Sequence, residues 1–317
     1  MKASPLISVV TPTFRRPREV AELLANLNEQ MLLPSELLLV DGSPRADRET
    51  EHVFKERTSS LRFPCHYIAR AGGTAIQRNI GIDQARGDFL ALIDDDIRLE
   101  PEFFALMVES FVEDKQKQVG GITGYITNQY LDVETSHRWR WYRRLKLFTT
   151  YEPGRYDFQT GYPINRYLRP PHDDLVPIDF MGAGCAVWRR QVFADGLRFS
   201  EFFRDYGVLE DAHLALRARK NWKLLEHGRA RCVHLQSRTA RENDRLISRK
   251  TAINYRYVFM DIVPCRTWVQ EFRFWRVQII DLLRMVAFTL THGGKQNLAK
   301  VIGKIEGIVA ASMLRPS

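Results

Sequence analysis

The sequence predicts an α/β fold built on a mostly parallel sheet. Short apolar runs alternate with segments whose apolar residues recur at helical spacing, as in successive strand–helix units. Several of these runs show no polar alternation, which is typical of strands covered on both faces. Two of them end in carboxylates, at Asp41 and at residues 94–96. In doubly wound sheets ligands bind beyond the carboxyl ends of the strands, so these two ends are predicted to form a site.

The elements follow one another regularly in the first half of the chain. The patterns predict strands at residues 6–10, 36–40, 65–69 and 90–93, separated by helices at residues 16–31, 47–57 and 74–85. A helix beginning at Pro101 follows. Later segments predict a strand at residues 179–188, a helix at 209–220, short strands at 222–225 and 231–235, and basic helices from 241 onward. Residues 131–177 have no sustained period, which is typical of a functional loop or lid.

Residues 90–97 read Leu-Ala-Leu-Ile-Asp-Asp-Asp-Ile, an apolar strand that leads directly into three carboxylates. Unpaired carboxylates are costly to bury, so the strand must end at a mouth open to water or to a cation. Strand alternation puts Asp94 and Asp96 on one side and Asp95 on the other. Two hard oxygen ligands on one side suit Mg²⁺ or Mn²⁺ carrying a diphosphate. The alternative is an acidic turn or a helix N-cap, because Asp is common in both.

Composition describes an ordinary globular protein. The 317 residues are 44% apolar and 27% charged, enough for one large domain with an appendage or for two domains. The four cysteines, at positions 65, 185, 232 and 265, form no Cys-x-x-Cys pair, and three lie in or beside apolar runs. They therefore predict reduced thiols in a cytoplasmic protein. No long apolar run follows the first residues, so no signal peptide is expected.

Positive charge is concentrated at the end of the chain. Residues 238–317 contain 14 Lys/Arg and 6 Asp/Glu, a net charge of +8 out of +9 for the whole protein. The first 237 residues are therefore nearly neutral. A segment with this charge favours an anionic partner, either lipid headgroups or nucleic acid.

Several fragments together resemble the motifs of an inverting family 2 glycosyltransferase with a GT-A fold. They are Val-Val-Thr-Pro-Thr-Phe-Arg-Arg-Pro from Val9, Val-Asp-Gly-Ser from Val40, Gly-Thr-Ala-Ile-Gln-Arg-Asn from Gly73, the Asp triplet, Met-Gly-Ala-Gly-Cys-Ala-Val-Trp-Arg from Met181, and Leu-Glu-Asp from Leu209. The resemblance covers roughly residues 6–237. It implies a GT-A domain at residues 1–237, with a Rossmann-like sheet flanked by helices, and leaves residues 238–317 as a basic, amphipathic helical extension.

The resemblance implies that the first motifs bind a nucleotide-sugar donor. Asp41 would accept the N3–H of uracil or thymine, which favours a UDP- or dTDP-sugar; its alternative role is to close a turn before Gly42. Thr11 and Thr13 would border the base and the ribose. Arg78 would contact the base or the diphosphate, and the alternative is a charge on a helix surface. The family usually has Ala where this chain has Gln77.

The resemblance assigns the metal and the diphosphate to Asp94 and Asp96, and places Asp95 near the donor sugar or the ribose. Some related enzymes have a metal-binding His after a late strand, where this chain has His234. A lone His is more often structural, and that alternative stays open here.

The resemblance makes Asp211 the general base, with Glu210 as second choice. Inversion requires a carboxylate that takes the proton of the acceptor hydroxyl while that hydroxyl attacks opposite the leaving diphosphate. The metal offsets the charge that builds up on the leaving group. The alternative is a plain helix N-terminus, because acidic residues are favoured in a first helical turn.

Residues 272–290 look at first like a membrane span but contain too many polar groups, among them Arg276, Asp281 and Arg284. Their apolar residues recur at helical spacing. A basic amphipathic helix on an anionic membrane surface accounts for both facts, as does a helix packed on the catalytic domain with a solvated basic face. The first option predicts a glycan or lipid-linked acceptor and a peripheral position at the inner face of the membrane.

Other classes of function fit the sequence less well. A nucleotidyltransferase normally needs a Gly-rich loop after the first strand, and this chain has Thr-Pro-Thr-Phe-Arg there. The same absence of Gly-x-Gly-x-x-Gly argues against a dinucleotide oxidoreductase. A non-catalytic sugar-nucleotide-binding or scaffold protein of the same fold remains the alternative. Nucleic-acid binding is not expected, because no recognised motif accompanies the charge.

Overall fold

The computed structural model describes residues 5–203, 207–237 and 243–315. Along them the strands are β1 (Ile7–Thr13), β2 (Glu36–Asp41), β3 (Cys65–Ala69), β4 (Phe89–Ile93), β5 (Ile97–Leu99), β6 (Val119–Ile126), β7 (Tyr156–Asp157), β8 (Tyr162–Pro163), β9 (Leu175–Ile178), β10 (Cys185–Arg189) and β11 (Lys223–His234). The helices are α1 (Pro17–Asn28), α2 (Glu49–Thr58), α3 (Gly73–Gln84), α4 (Phe103–Glu113), α5 (His137–Arg144), α6 (Glu210–Ala218), α7 (Asp244–Ile262), α8 (Trp268–His292) and α9 (Lys295–Ser312).

The chain divides into two compact units. The first contains Met1–Tyr130 and Arg169–Ala240, and the second contains Leu131–Leu168 and Arg241–Ser317. The predicted boundary after residue 237 stays a prediction, and residues 238–242 lie outside the described residues.

A mixed, mostly parallel sheet forms the centre of the first unit. Its strands lie in the order β3-β2-β1-β4-β10-β6-β11-β5, and β9 pairs with β11. Strands β1 to β4 are parallel neighbours, whereas β10 runs antiparallel to β4 and β6. Strands β1, β2 and β4 are buried along their whole length, as their unbroken apolar runs predict. This confirms the predicted α/β fold with helices flanking the sheet.

Local sequence accounts for the helices of the first unit. Helix α1 begins with Pro17, whose fixed φ suits a first helical turn, and it buries Val20, Leu23, Leu24 and Leu27. Helix α4 buries a comparable row that includes Phe103, Met107 and Phe111. In both cases the apolar face follows the helical period.

The structure differs from the sequence prediction at the last strand of the first unit. The two short strands expected at residues 222–225 and 231–235 are one strand, β11, with an irregularity between His227 and Arg231. Gly228 lies in that irregular stretch, and Glu226, just before it, is buried with its carboxylate 3.1 Å from the Arg169 guanidinium. A buried charged residue and a glycine both interrupt the apolar pattern by which a strand is predicted. The sequence therefore predicted two short strands where the structure has one.

The second unit also differs from expectation, because residues 131–168 are not an open loop. They form α5 and the small hairpin of β7 and β8, and they contribute to an aromatic core. That core contains Trp139, Tyr142, Leu147, Phe148, Tyr162, Ile164, Leu168 and Val277. Its aromatic residues are spaced irregularly along the chain, so no period marks them. Their burial depends on packing against α8, which begins a hundred residues later.

Helices α7 and α9 of the second unit pack very closely. A side chain at Gly303 or Gly307 would collide with the backbone carbonyls of Arg245 or Arg249 on α7. Two glycines four residues apart let helix backbones approach in this way. Helix α8 has a Thr267–Gln270 capping box at its start.

The cysteines are free thiols in the described residues, with Cys185 and Cys232 buried, Cys65 partly buried and Cys265 exposed.

Candidate functional site

The carboxyl ends of three parallel strands meet at one edge of the sheet in the first unit. Thr13 at the end of β1 lies opposite Asp41 at the end of β2, and Val10 lies opposite Leu92 near the end of β4. The acidic run begins two residues after Leu92. The predicted base-binding and metal-binding residues are therefore neighbours in the fold, as the strand-end argument expects.

Asp41 is a buried acceptor held in one orientation. Its Oδ1 accepts hydrogen bonds from the backbone N–H and the hydroxyl of Ser43, at 2.8 and 2.6 Å. Its Oδ2 accepts the hydroxyl of Tyr67 at 2.6 Å. Burial, with this hydrogen bond as the second cause, raises the pKa of Tyr67. A carboxylate oxygen has two lone pairs, so Oδ2 retains acceptor capacity beside the Tyr67 hydroxyl.

The two threonines of β1 have different surroundings. Thr13 donates its hydroxyl to Asp95 Oδ2 at 2.7 Å, which ties the end of β1 to the acidic run. Thr11 is fully buried, and its hydroxyl has no hydrogen-bond partner within residues 5–203, 207–237 and 243–315.

The acidic run is a turn, and its side chains diverge. Strand β4 ends at Ile93, and the N–H of Ile97 closes a turn on the carbonyl of Asp94 at 3.2 Å. The predicted pairing of Asp94 with Asp96 by strand alternation does not hold, because the backbone is no longer extended. Instead Asp95 and Asp96 both approach Arg16, at 2.7 and 3.7 Å.

Asp94 belongs to a second cluster, centred on Arg78. The Arg78 guanidinium donates to Asp94 Oδ1 at 2.7 Å and to Glu210 Oε1 at 3.0 Å. Arg78 is only 4% exposed, so the alternative of a helix-surface charge is wrong. Burial lowers the pKa of Arg78, but the carboxylates of Asp94 and Glu210 outweigh it and the net shift is upward. Arg78 thus joins the tip of β4 to the start of α6.

Asp95 is the most enclosed of the three acids. It accepts hydrogen bonds from Thr13 and from Arg16, which lies just before α1. Burial nevertheless raises its pKa to about 6, because desolvation of the charged form outweighs the attraction of Arg16. Its contacts hold the strand ends in place, and its side chain is 3% exposed.

Asp96 faces His234 at the end of β11. His234 Nε2 lies 3.2 Å from Asp96 Oδ1, and the N–H of Ser237 donates to Asp96 Oδ2 at 3.0 Å. Burial would raise the pKa of Asp96, but His234, Arg16 and this N–H together lower it. The pKa of His234 is raised, since the pull of Asp96 exceeds the cost of burial. Gln129 contacts the other ring nitrogen of His234 at 2.7 Å and orients the imidazole.

Glu210 and Asp211 form the first turn of α6. The preceding Leu209 has a φ of +71°, a costly conformation for a residue with a side chain, and the helix starts immediately after it. Asp211 accepts the N–H of Ala183 at 3.3 Å and that of Ala212 at 2.7 Å. Burial, followed by the charge of Asp211, raises the pKa of Glu210 to about 7. Burial also raises the pKa of Asp211.

The segment before β10 brings these two clusters together. A Cβ atom at Gly184 would lie 2.8 Å from Asp94 Oδ2, and one at Gly182 would lie 3.2 Å from Asp211 Oδ2. A side chain at Gly184 would force Asp94 to shift, and one at Gly182 would be in tight contact with Asp211. The arrangement places a buried carboxyl pair, one guanidinium and the tip of a parallel strand in a single site.

A match to a protein-family model identifies the family of the chain that carries this site. The model described as "Glycosyl transferase family 2" matches residues 8–195, more than half of the chain. The chain belongs to glycosyltransferase family 2. The match confirms the resemblance drawn from the sequence motifs, and it includes all the site residues named above up to Gly184.

Curated relatives of this glycosyltransferase agree with the family match. It is 29% identical over 118 residues to the uncharacterized glycosyltransferase EpsJ of Bacillus subtilis, covering 37% of this chain and 33% of the relative. It is 26% identical over 178 residues to the uncharacterized glycosyltransferase YwdF of the same organism, covering 53% of this chain and 60% of the relative. The chain therefore spans less than two thirds of the length of either relative.

Solved structures confirm the GT-A fold. The mannosyltransferase PcManGT from Pyrobaculum calidifontis, in complex with GDP-Man and Mn²⁺, has a TM-score of 0.59 at 13% identity over 98% of this chain and 88% of its own. GalNAc-T7, with UDP, GalNAc and Mn²⁺, has a TM-score of 0.60 at 13% identity over 88% of this chain and 51% of its own. S. aureus TarS 1-349 has a TM-score of 0.51 at 14% identity over 96% of this chain and 80% of its own.

The acidic run and His234 of the glycosyltransferase offer oxygen and nitrogen donors for a divalent cation. Across the described part of the chain, no three His, Cys, Asp or Glu side chains converge into a ready cation site. Asp96 and His234 are in contact, and the side chain of Asp94 is 30% exposed. Carboxylate oxygens with one imidazole nitrogen are donors that Mn²⁺ accepts, and diphosphate oxygens would complete the shell. Asp96 and His234 therefore fit the metal as a pair, whereas Asp94, whose Oδ1 is held by Arg78, is not gathered with them in this structure.

Four residues of the glycosyltransferase site were not predicted from the sequence as site residues. Arg16 and Gln129 hold the acidic run and His234, and Tyr67 holds Asp41. Gln77 donates its amide to the carbonyls of Thr13 and Val40, at 2.8 and 2.7 Å, and fastens two strand ends together. Two of the four had a signal in the sequence: Gln77 is polar where the family usually has Ala, and Arg16 lies within the first of the quoted motifs.

Proposed function

We propose that this glycosyltransferase moves a sugar from a nucleotide-diphosphate donor to an acceptor hydroxyl, with inversion at the anomeric carbon. The observation that carries this proposal is the bridge made by Arg78. One buried guanidinium holds Asp94, at the end of the strand where the donor is expected, and Glu210, beside the candidate base. Asp94 and the first turn of α6, which carries Asp211 next to Glu210, are therefore linked by one guanidinium.

Asp211 is the proposed general base. It lies in the first turn of α6, and its neighbours Ala183 and Ala212 donate backbone N–H groups to it. When ionised it takes the proton of the acceptor hydroxyl as that oxygen attacks the anomeric carbon. Glu210 remains the second choice, with its carboxylate held by Arg78.

A divalent cation, Mg²⁺ or Mn²⁺, is proposed as the cofactor, with Asp94, Asp96 and His234 holding it. Bound there, it would offset the negative charge that develops on the leaving nucleoside diphosphate. Two structural neighbours support a divalent cation, because they share the fold and contain Mn²⁺, one with GDP-Man and the other with UDP and GalNAc. Asp95, which Thr13 and Arg16 hold by hydrogen bonds, is proposed to lie near the ribose or the donor sugar.

The donor is proposed to be a UDP- or dTDP-sugar. Asp41 presents an acceptor that Ser43 and Tyr67 hold in one orientation, and the N3–H of uracil or thymine is a single donor between two carbonyls. Thr11 and Thr13 are proposed to border the base and the ribose. The neighbour with GDP-Man shows that this fold also accepts guanine, so the preference requires a direct comparison.

The acceptor is proposed to be a glycan or a lipid-linked glycan, in the synthesis of a cell-surface polysaccharide or glycolipid. The reaction would take place in the cytoplasm, at the inner face of the membrane. The support is the net charge of +8 over residues 238–317.

The test of the proposed reaction is a donor panel. Thermal unfolding is measured with UDP-, dTDP- and GDP-sugars, each with Mn²⁺, with Mg²⁺ and without metal, because a bound donor raises the melting temperature. NMR of the product then reports the anomeric configuration. A retained configuration contradicts the inverting mechanism, and binding without turnover favours the non-catalytic alternative.

Replacing Asp96 by Asn is expected to weaken metal-dependent nucleotide binding by about tenfold or more. Mutating a residue that only orients a metal ligand already lowers metal affinity by about tenfold or more, and loss of a ligand itself should lower it at least as much. Calorimetric titration of UDP with and without Mn²⁺ measures the effect. Asp174→Asn, at an exposed position, is the control and should bind like the wild type. A wild-type Mn²⁺ dependence in Asp96→Asn would remove Asp96 from the metal site.

Replacing Asp41 by Asn is expected to weaken UDP binding roughly tenfold and to change GDP binding much less, since a neutral amide oxygen is a weaker acceptor for N3–H. Competition titrations with the two nucleotides measure the ratio. Tyr67→Phe is the companion variant, because it leaves the carboxylate in place and removes one of its hydrogen bonds. Equal losses for UDP and GDP in Asp41→Asn would show a purely structural role.

A further inference from the structure

Helix α8 has a continuous apolar stripe facing solvent. Six of its large apolar residues are between 44% and 82% exposed, and all of them except Phe288 lie on this stripe: Trp268, Phe272, Ile279, Leu283 and Leu290. Their separations of 4, 7, 4 and 7 residues place them within about 60° of one another around the helix. At 1.5 Å per residue the stripe is about 33 Å long. The half-buried Trp275 and Val286 lie along the same stripe.

Helix α9 has a second stripe of the same kind. Leu298, Ile302, Ile305, Val309 and Met313 follow one another at intervals of three or four residues, and each is between 37% and 73% exposed. These positions again fall on one side of the helix.

Packing within the second unit does not account for either stripe. Helix α8 already buries Phe274 and Val277, and α9 already packs on α7 through Gly303 and Gly307. A helix docked on one neighbour needs a single apolar face. The additional faces on α8 and α9 together expose ten large apolar side chains, far more than the scattered residues of an ordinary surface.

The second unit also has an excess of positive charge, because residues 243–315 contain 12 Lys/Arg and 5 Asp/Glu. Four of the basic side chains are exposed, namely Arg245, Arg249, Lys295 and Arg315, whereas others, such as Arg256, Arg266 and Lys304, are held in ion pairs within the unit. A groove of about 670 Å³ runs between α7 and α9, where Ile305, Val309 and Met313 of the α9 stripe meet Leu246 and Arg249. Arg245, also in the groove, is paired with Glu306. An apolar floor with a guanidinium at its edge suits an acyl chain beneath an anionic headgroup.

We propose that the exposed stripes of α8 and α9 lie in the interface of an anionic lipid bilayer, with the basic residues at the headgroups. Trp268 lies at the start of α8, and tryptophan is enriched at the interface between a membrane and water. None of the helices in the described segments is long and apolar enough to cross a membrane, so the helices would lie along the surface. A second copy of this chain is disfavoured as the occupant, because each copy would bring the same positive charge.

The inference rests on the proposed function in one respect: a lipid-linked acceptor would explain why the enzyme binds a membrane. Docking itself needs no turnover. The full chain is floated on a density gradient with phosphatidylcholine vesicles and with vesicles in which a quarter of the lipid is phosphatidylglycerol. Flotation is expected with the anionic vesicles alone and should weaken as salt rises.

The test variant is Phe272→Ser/Leu283→Ser, and the matched control is Met31→Ser/Val112→Ser, which removes two equally exposed apolar side chains from the first unit. The test variant is expected to bind anionic vesicles roughly tenfold or more weakly, and the control to bind like the wild type. Both should bind UDP and Mn²⁺ normally, which separates a failure of docking from a failure of the proposed function.

Three results would overturn the proposal. They are wild-type protein that stays unbound with anionic vesicles, equal binding to neutral vesicles, and a dimer in sedimentation that the test variant abolishes. The last result would assign the stripes to a second copy of the chain.

Discussion

Asp211→Asn is expected to lower the turnover number about a thousandfold, the middle of the range for losing a positioned general base. The amide keeps the size of the carboxylate and can still accept the N–H of Ala183, so the backbone around α6 should stay in place. It cannot take a proton from the acceptor hydroxyl at neutral pH. Nucleotide affinity should change little, because the residues proposed to bind the donor are left intact.

Initial rates of sugar transfer, together with calorimetric titration of UDP and Mn²⁺, measure the two effects separately. Asp195→Asn, at an exposed position, is the control for an Asp-to-Asn change and should retain wild-type rates. Near-wild-type turnover in Asp211→Asn would rule out Asp211 as the base. A parallel collapse of nucleotide binding would show instead that Asp211 supports the fold of the site.

Comparison with Glu210→Gln decides between the two acids. The pKa of Glu210 is raised to about 7 and that of Asp211 is raised too, so the pair should give the wild type an acid limb in its rate profile. Below this limb the base is protonated and transfer stops. If Asp211 is the base, Glu210→Gln keeps activity and its acid limb moves to lower pH, because the neighbouring carboxyl no longer competes for Arg78. If Glu210 is the base, Glu210→Gln loses turnover instead.

The parts of the fold that the sequence predicted are those set by local patterns. Strand β3 was predicted at the residues where it lies, because its run is bounded by turn residues on both sides. Helix α1 follows from Pro17 and a regular apolar row. Residues 131–168 could not be predicted in this way, since their core is completed by Val277 of a distant helix. Strand β11 could not be predicted as one strand for a related reason. It continues across its irregular stretch by pairing with β6, which lies about a hundred residues earlier in the chain.

The same distinction applies to the site. The strand-end argument brought Thr13, Asp41 and the acidic run together correctly, because parallel strands share one edge. It did not predict that Asp94 would separate from Asp95 and Asp96, since that separation depends on two arginines. Arg16 holds Asp95 from a position next to a helix start, and Arg78 reaches Glu210 across 132 residues of sequence. Neither pairing leaves a periodic signal in the sequence.

The ion-pair cluster around Arg78 also makes a stability prediction. Arg78→Met is expected to lower the free energy of unfolding at neutral pH by about 3–5 kcal/mol, the usual cost of removing one partner from a buried ion pair. The methionine fills much of the same space, but Asp94 and Glu210 lose their shared cation. Urea unfolding at pH 7 measures the change. Arg15→Met is the control, and its exposed ion pair with Asp47 should contribute less than about 1 kcal/mol.

The pH dependence of this loss identifies its cause. Without Arg78, which lowers the pKa of Glu210, the folded-state pKa of that carboxyl rises further above its value in the unfolded chain. The folded state then binds more protons than the unfolded state over the window between these two values, so stability falls as pH rises through it. The loss caused by Arg78→Met should therefore increase as the pH rises above about 7, because below that pH the wild type also keeps Glu210 protonated. Adding Glu210→Gln should restore part of the stability above about pH 8, because it removes the carboxylate that the variant would otherwise bury without a cation. A loss that is independent of pH, with no recovery in the double variant, would mean that Arg78 stabilises the site through packing and that its ion pairs contribute little.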